Sequence, residues 1–181
     1  MQSINQTLET ARGTINIREA LPSDAIQYRE LRLGALQDSP TAFSADYQVN
    51  LNKPMSFWEG RLNFDEYGTI FFAEHAGNLI GMTGIRQRES PKTKHSAEIF
   101  SVYVQPEWRG LHIAQALIDS CVRWAKGRNE VNILKLGVMV NNLSAVHCYE
   151  RCGFTIYGTE PRDVFYEGKY YNLYLMYRDI P

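Results

Sequence analysis

Polar and apolar residues alternate from Thr14 to Glu19, which predicts a first strand. The preceding stretch, residues 1–13, is polar and weakly patterned, and reads as a mobile tail or an added edge element ahead of a domain spanning 14–181. Pro22-Ser23-Asp24 turns the chain into a helix over Ala25–Gln37, with Ser23 or Asp24 as cap and Ile26, Leu33 and Leu36 on its apolar face. Asp38-Ser39-Pro40 stops that helix. Residues 41–55 are irregular, and a short helix follows around Phe57–Leu62. Strands are expected at Thr69–His75 and Leu79–Arg88, joined by a tight turn at Gly77-Asn78. A third in this run, Glu98–Val104, is ended by Pro106. Ile113–Lys126 carries the clearest helical stripe, through Leu117, Ile118, Cys121, Val122 and Ala125. A strand at Ile133–Val140, a helix at Ser144–Cys152, and strands at Phe154–Gly158 and Tyr170–Tyr177 around a Tyr-rich loop complete the chain. The order implies an α+β or α/β domain with one central mixed sheet.

At 181 residues the chain suits one domain able to bury a core, and 44% hydrophobic with 22% charged residues argues against disorder. A net charge of -1 gives no broad attraction to nucleic acid or anionic membrane, so neither is expected as a partner. No apolar run approaches the ~20 residues needed to cross a bilayer. The 3 cysteines, Cys121, Cys148 and Cys152, form no CxxC pair; they read as reduced thiols in a cytoplasmic protein, with no metal site expected.

The segment with the most chemistry runs from Ile99 to Ala114. It places a strand, the turn Arg109-Gly110-Leu111-His112 and a helix start in order. Unpaired N–H groups at a helix start attract anions, Gly110 permits close approach, and Arg109 adds charge. That arrangement suits a phosphate or pyrophosphate. The Gly-Lys-Ser/Thr ending of a Walker loop and the three-glycine spacing of a dinucleotide fingerprint are both missing.

The same segment resembles the acetyl-CoA signature of the GCN5-related N-acetyltransferase (GNAT) family, Arg/Gln-x-x-Gly-x-Gly/Ala. Arg109 holds its first position, Ala114 its last, and His112 stands where the central glycine is usual. Downstream, Asn142-Leu143-Ser144-Ala145 and Tyr149-Glu150-Arg151-Cys152-Gly153-Phe154 resemble the family's Asn-x-x-Ala…Tyr-Glu-x-x-Gly-Phe pattern. The resemblance implies a single GNAT-like acyl-CoA N-acyltransferase domain. Its mixed, mostly antiparallel sheet would be flanked by helices and splayed between two central parallel strands, ending at Val104 and Val140.

It also implies roles. Acetyl-CoA would be the co-substrate, and an acetyl group would pass to a primary amine by direct attack. Tyr149 is the expected general acid, against a packing role for its ring. Glu98 is the expected base, directly or through water, with Ser101 holding a water or Glu74 as a rival. Alternation would put Glu98, Phe100, Val102 and Val104 on one face, and Ile99, Ser101 and Tyr103 on the other. Cofactor contacts are expected from Val102, Tyr103 and Val104, from Arg109, Gly110, Leu111, His112, Ile113, Ala114 and Gln115, and from Asn142 and Ser144. Asn142 would serve equally well as a helix cap, with Ser144 competing. The acceptor, a small amine or peptide, would meet a wall drawn from Phe43, Tyr47, Phe57 and Trp58, and from Tyr166, Tyr170, Tyr171 and Tyr174. A peptide N-terminal or lysine acetyltransferase and a non-catalytic acyl-CoA-binding sensor module are the competing readings. A homodimer is compatible with such a fold.

Overall fold

The computed structural model describes residues 4–181. Eight strands form one sheet in the order β1-β2-β3-β4-β5-β6-β8-β7. They are β1 (Gln6–Thr10), β2 (Gly13–Glu19), β3 (Gly68–His75), β4 (Asn78–Gln87), β5 (Ser96–Val104), β6 (Ile133–Met139), β7 (Thr155–Tyr166) and β8 (Lys169–Asp179). All neighbours are antiparallel except β5 and β6. A parallel pair needs a long crossover. Helix α4 (Ile113–Lys126) supplies it.

Helices cover both faces. On one, α4 buries Ile113, Leu117, Ile118, Cys121, Val122 and Ala125 against β2–β6, and α5 (Leu143–Arg151) adds Val146 and Tyr149 to the same core. Removing each large apolar side chain from water contributes about 1.5–3 kcal/mol. That makes the α4 stripe the strongest local determinant of this layer. On the other face α1 (Ala25–Asp38), the short α2 (Tyr47–Leu51) and α3 (Met55–Leu62) cover a second core containing Tyr28, Trp58, Phe72, Met82 and Tyr103.

Several expectations shift. The region read as a tail contributes β1, which pairs through Leu8 with Ile15, so the edge-element alternative applies to residues 6–10; residues 1–3 lie outside the described residues. The β3–β4 turn is Ala76-Gly77, one residue earlier than expected. Both central residues have positive φ, 47° and 82°, as a tight hairpin turn between twisted strands requires. Residues 41–55 contain α2, whose first turn is capped by Asp46 accepting from Val49 N–H at 2.8 Å. The Tyr-rich loop is mostly strand. β7 passes Pro161 by a bulge between Glu160 and Val164, which an edge strand tolerates because its outer side has no partner.

Helix α1 also turns differently. Leu33 and Leu36 are buried as expected, but Ile26 is 64% exposed, and the buried face also takes in Ala25, Tyr28, Leu31, Arg32 and Ala35. Asp24 does not cap this helix. Its carboxylate accepts from Leu21 N–H at 2.7 Å and binds Arg18, which holds it below the ordinary carboxylate range despite the opposing effect of burial.

Candidate active site

Strands β5 and β6 pair only at Ser96–Ile133, Ala97–Leu134 and Glu98–Lys135. Beyond that point they diverge. Ser101 has φ 55°, and the β4–β5 register slips between Met82 and Gly84, so β5 carries a bulge here. A bulge bends its strand and raises its twist, which is a local cause of the divergence. It also reverses the alternation assumed from sequence. Ile99, Val102 and Val104 all meet the α4 core, whereas Tyr103 belongs to the α1 side.

The gap opens into a cavity of about 500 Å³, a size suited to a small-molecule ligand. It is bounded by β5 residues Ile99–Val104 and β6 residues Leu136–Met139, by Arg109, Gly110 and His112–Gln115 at the start of α4, and by Tyr149 on α5. Ser39, Ala42 and Phe43, which follow α1, bound it on the opposite face. It therefore crosses the sheet.

The first bond inside α4 runs from Ala116 N–H to His112 C=O at 3.0 Å. The N–H groups of Ile113, Ala114 and Gln115 consequently have no acceptor within the helix, and all three residues border the cavity. With the helix dipole they form an anion seat. Gly110, at φ 80°, has no atom within 4 Å of where a Cβ would stand, leaving room beside the turn.

His112 takes φ 59° and ψ 13°, a left-handed conformation that glycine adopts freely. The departure from the family glycine thus retains the backbone shape and adds an exposed side chain at the edge of the cavity. Strain of roughly 1–2 kcal/mol accompanies a side chain in that region. His112→Gly is expected to gain about 1 kcal/mol of that back, raising the melting midpoint by about 2–4 °C in calorimetry.

Arg109 borders the cavity and also has a structural part. Its Nε donates to Val104 C=O at 3.0 Å and its Nη2 binds Asp38, so the side chain ties the end of β5 to the end of α1. Gln105 N–H donates to Ile80 C=O at 2.9 Å. Ladder alternation then turns the main-chain groups of Val104 away from β4, toward the gap. Leu111, expected at the cofactor, instead packs against the α4 core and does not border the cavity.

On α5, Asn142 caps the helix by accepting from Ala145 N–H at 3.3 Å, and Ser144 Oγ donates to the same Asn142 oxygen at 3.1 Å. Both residues still border the cavity. Tyr149 is 7% exposed, and burial pushes its phenol above the ordinary value. Its ring packs edge-on against Phe154 at 6.3 Å. Cys148 borders the cavity, while Cys152 is buried in the core. The neighbouring Cys152 thiol, and to a lesser degree Arg151, lower the Cys148 thiol to about 7 against the opposing effect of burial.

Glu98 is not brought to Tyr149. It is exposed at the paired, closed end of β5–β6, opposite Arg86 of β4, and borders a separate shallow depression with Arg86, Glu89 and Thr93. Glu74 is committed to Arg18 at 2.7 Å. Of the expected acceptor wall, Phe43 reaches the cavity, Trp58 is wholly buried in the α1-side core, and Tyr166, Tyr170, Tyr171 and Tyr174 lie outside the lining. The β6 segment Leu136–Met139, with Ser39, Ala42 and Cys148, went unnamed as site residues. Only the expected splay at Val140 pointed toward that part of β6.

Similarity to known proteins agrees with this geometry. Residues 34–154 match the model of the acetyltransferase (GNAT) family. The spermidine N(1)-acetyltransferase of Vibrio cholerae is 31% identical over 163 residues, covering 82% of this chain and 92% of that protein. The L-amino acid N-acetyltransferase AaaT of Escherichia coli is 30% identical over 106 residues, covering 56% of this chain and 62% of its own length. The yncA acetyltransferase structure from Salmonella typhimurium, solved with its cofactor acetyl-CoA, superimposes with a TM-score of 0.76 at 20% identity over 92% of this chain and 94% of that one. The cross-sheet cavity, the open start of α4 and the match over 34–154 place this chain in the GNAT acetyltransferase family.

Proposed function

We propose that the protein transfers the acetyl group of acetyl-CoA to a primary amine by direct attack. The observation that carries this reading is the cavity itself, which joins the anion seat of α4, the Tyr149 side chain and the opposite sheet face in one continuous space. Relatives named for acetylating amino acids and spermidine fit the same class of acceptor.

Each residue has a separable task. The N–H groups of Ile113, Ala114 and Gln115 hold the pyrophosphate. The unpaired edges of β5 and β6 accept the pantetheine arm, with the Val104 N–H facing the gap beside the thioester. A neutral amine entering from the Phe43 side attacks the carbonyl carbon. The carbon–sulfur bond breaks, and Tyr149 donates its phenolic hydrogen toward the departing sulfur while the amine proton leaves through solvent. Glu98 has no place in that sequence, since the closed end of the β5–β6 pair separates it from the thioester position.

An assay of varied primary amines with acetyl-CoA, reading free thiol and confirming the N-acetyl product by mass, tests the proposal. Turnover of a small amine supports it. Acetylation confined to peptides would favour a peptide acetyltransferase. Tight acetyl-CoA binding by calorimetry with no thiol release for any acceptor would make the chain a sensor module.

A further inference from the structure

The inward face of α1 contains a charge where apolar residues are the rule. Ala25, Tyr28 and Ala35 point into the α1-side core, and so does Arg32, which is 7% exposed. Its Nη1 is sealed from solvent and has no hydrogen-bond partner among the described residues. No ion pair among those residues includes it. A buried guanidinium normally finds a carboxylate, because an isolated buried charge is strongly destabilising.

The surroundings deepen the imbalance. Besides burial, two groups act on Arg32: the Tyr28 phenol, which favours its charge, and a second cation, Arg61, which opposes it and whose Nε donates to Tyr28 Oη at 2.9 Å. Three aspartates between the end of α1 and the start of β3 are engaged elsewhere: Asp38 with Arg109, Asp46 with the first turn of α2, and Asp65 with Arg86. Burial lowers the Arg32 guanidinium to about 10, which still leaves it charged at neutral pH. Two guanidinium groups thus sit together without a counter-charge.

Their position is what gives this meaning. The Arg32 guanidinium lies behind the cavity wall, over the ring of Phe43 at 4.4 Å from its centre, and Phe43 itself bounds the cavity. That wall is on the α1 face of the sheet, whereas the anion seat of α4 and Tyr149 are on the other. An anion drawn to Arg32 therefore belongs to the acceptor and not to the phosphates of acetyl-CoA.

We propose that Arg32, supported by Arg61, holds a carboxylate of the acceptor beside Phe43, so that the amine acetylated is that of a small amino acid. The proposal rests on the amine-acetylation reading above and narrows it. A planar guanidinium matches a carboxylate with two parallel hydrogen bonds. Such a contact would turn the amine toward the splay while neutralising the buried charge.

The test compares α-amino acids with their α-amides, and adds a carboxylate-free polyamine. The wild-type enzyme is expected to favour the acid over the amide by roughly 30-fold in kcat/KM. Arg32→Met is expected to raise KM for the acid by a similar factor, with kcat, KM for the amide and KM for acetyl-CoA little changed. Arg32→Lys should restore part of the affinity, because it returns charge without the planar fork. If Arg32→Met fails to fold, propionate inhibition of the wild type serves instead, and it should be competitive with the acceptor and not with acetyl-CoA. Equal use of acid and amide, preference for the polyamine, or an effect of Arg32→Met on acetyl-CoA alone would each overturn the assignment while leaving amine acetylation standing. Absence of turnover with every amine would instead defeat the broader reading; calorimetric binding of an amino acid, lost in Arg32→Met, would then still support the Arg32 site.

Discussion

Tyr149→Phe is expected to lower kcat by roughly 10²- to 10³-fold while leaving KM for acetyl-CoA near its wild-type value. The phenol borders the cavity from α5, facing the gap where a thioester would lie. Burial of the ring, with its packing on Phe154, is kept by phenylalanine. Folding should survive and the loss should fall on the chemical step. Steady-state kinetics with a thermal melt on the same sample separate the two.

The weakened acidity of the Tyr149 phenol shapes the pH profile. Burial disfavours the phenolate, so the group stays protonated through and beyond its ordinary value near 10. The rate should therefore climb with pH as the amine loses its proton, with no descending limb from Tyr149 below that value. A thiolate is less basic than this phenolate, with a reference thiol near 8.5. The help Tyr149 gives is accordingly a hydrogen bond that strengthens as charge gathers on sulfur, with full proton transfer coming late. Tyr149→Phe should keep the climbing limb at a lower level.

Ala114→Asp is expected to raise KM for acetyl-CoA by roughly 100-fold or more, because like charges brought together cost several kcal/mol. Ala114 is the second residue of α4 and borders the cavity. An aspartate there faces the positive end of the helix and should leave the fold as stable as before or slightly more so. The same charge repels the pyrophosphate. A rise in melting temperature together with loss of acetyl-CoA binding in calorimetry would place the phosphates at α4. Unchanged affinity would remove them from it.

Within the site, two legible features were local. The start of α4 follows from Arg109–Ala114 and the amphipathic stripe behind it, and Tyr149 follows from its spacing to Asn142 and Phe154. Glu98 was chosen because its strand leads to the cofactor motif, but it lies in the part of β5 still paired with β6, before the bulge at Ser101. The tie that Arg109 makes between β5 and α1 was not legible, because the Val104 carbonyl and Asp38 that hold it lie 5 and 71 residues away in sequence. The buried face of α1 was drawn through Ile26, and tertiary packing turned the helix so that Tyr28 and Arg32 face inward instead.

What the sequence determined by itself is most of the longer elements and the open start of α4, since helical stripes, strand alternation and N-terminal N–H groups are properties of neighbouring residues. What the tertiary structure decided is which side chains share a space. The bulge at Ser101 parts β5 from β6, and the resulting gap joins Tyr149 on one face to Phe43 on the other. It also leaves Arg32 buried without a counter-charge beside that wall. These meetings depend on strand register and helix rotation, which many weak and distant contacts set together, so no short stretch of sequence contains them.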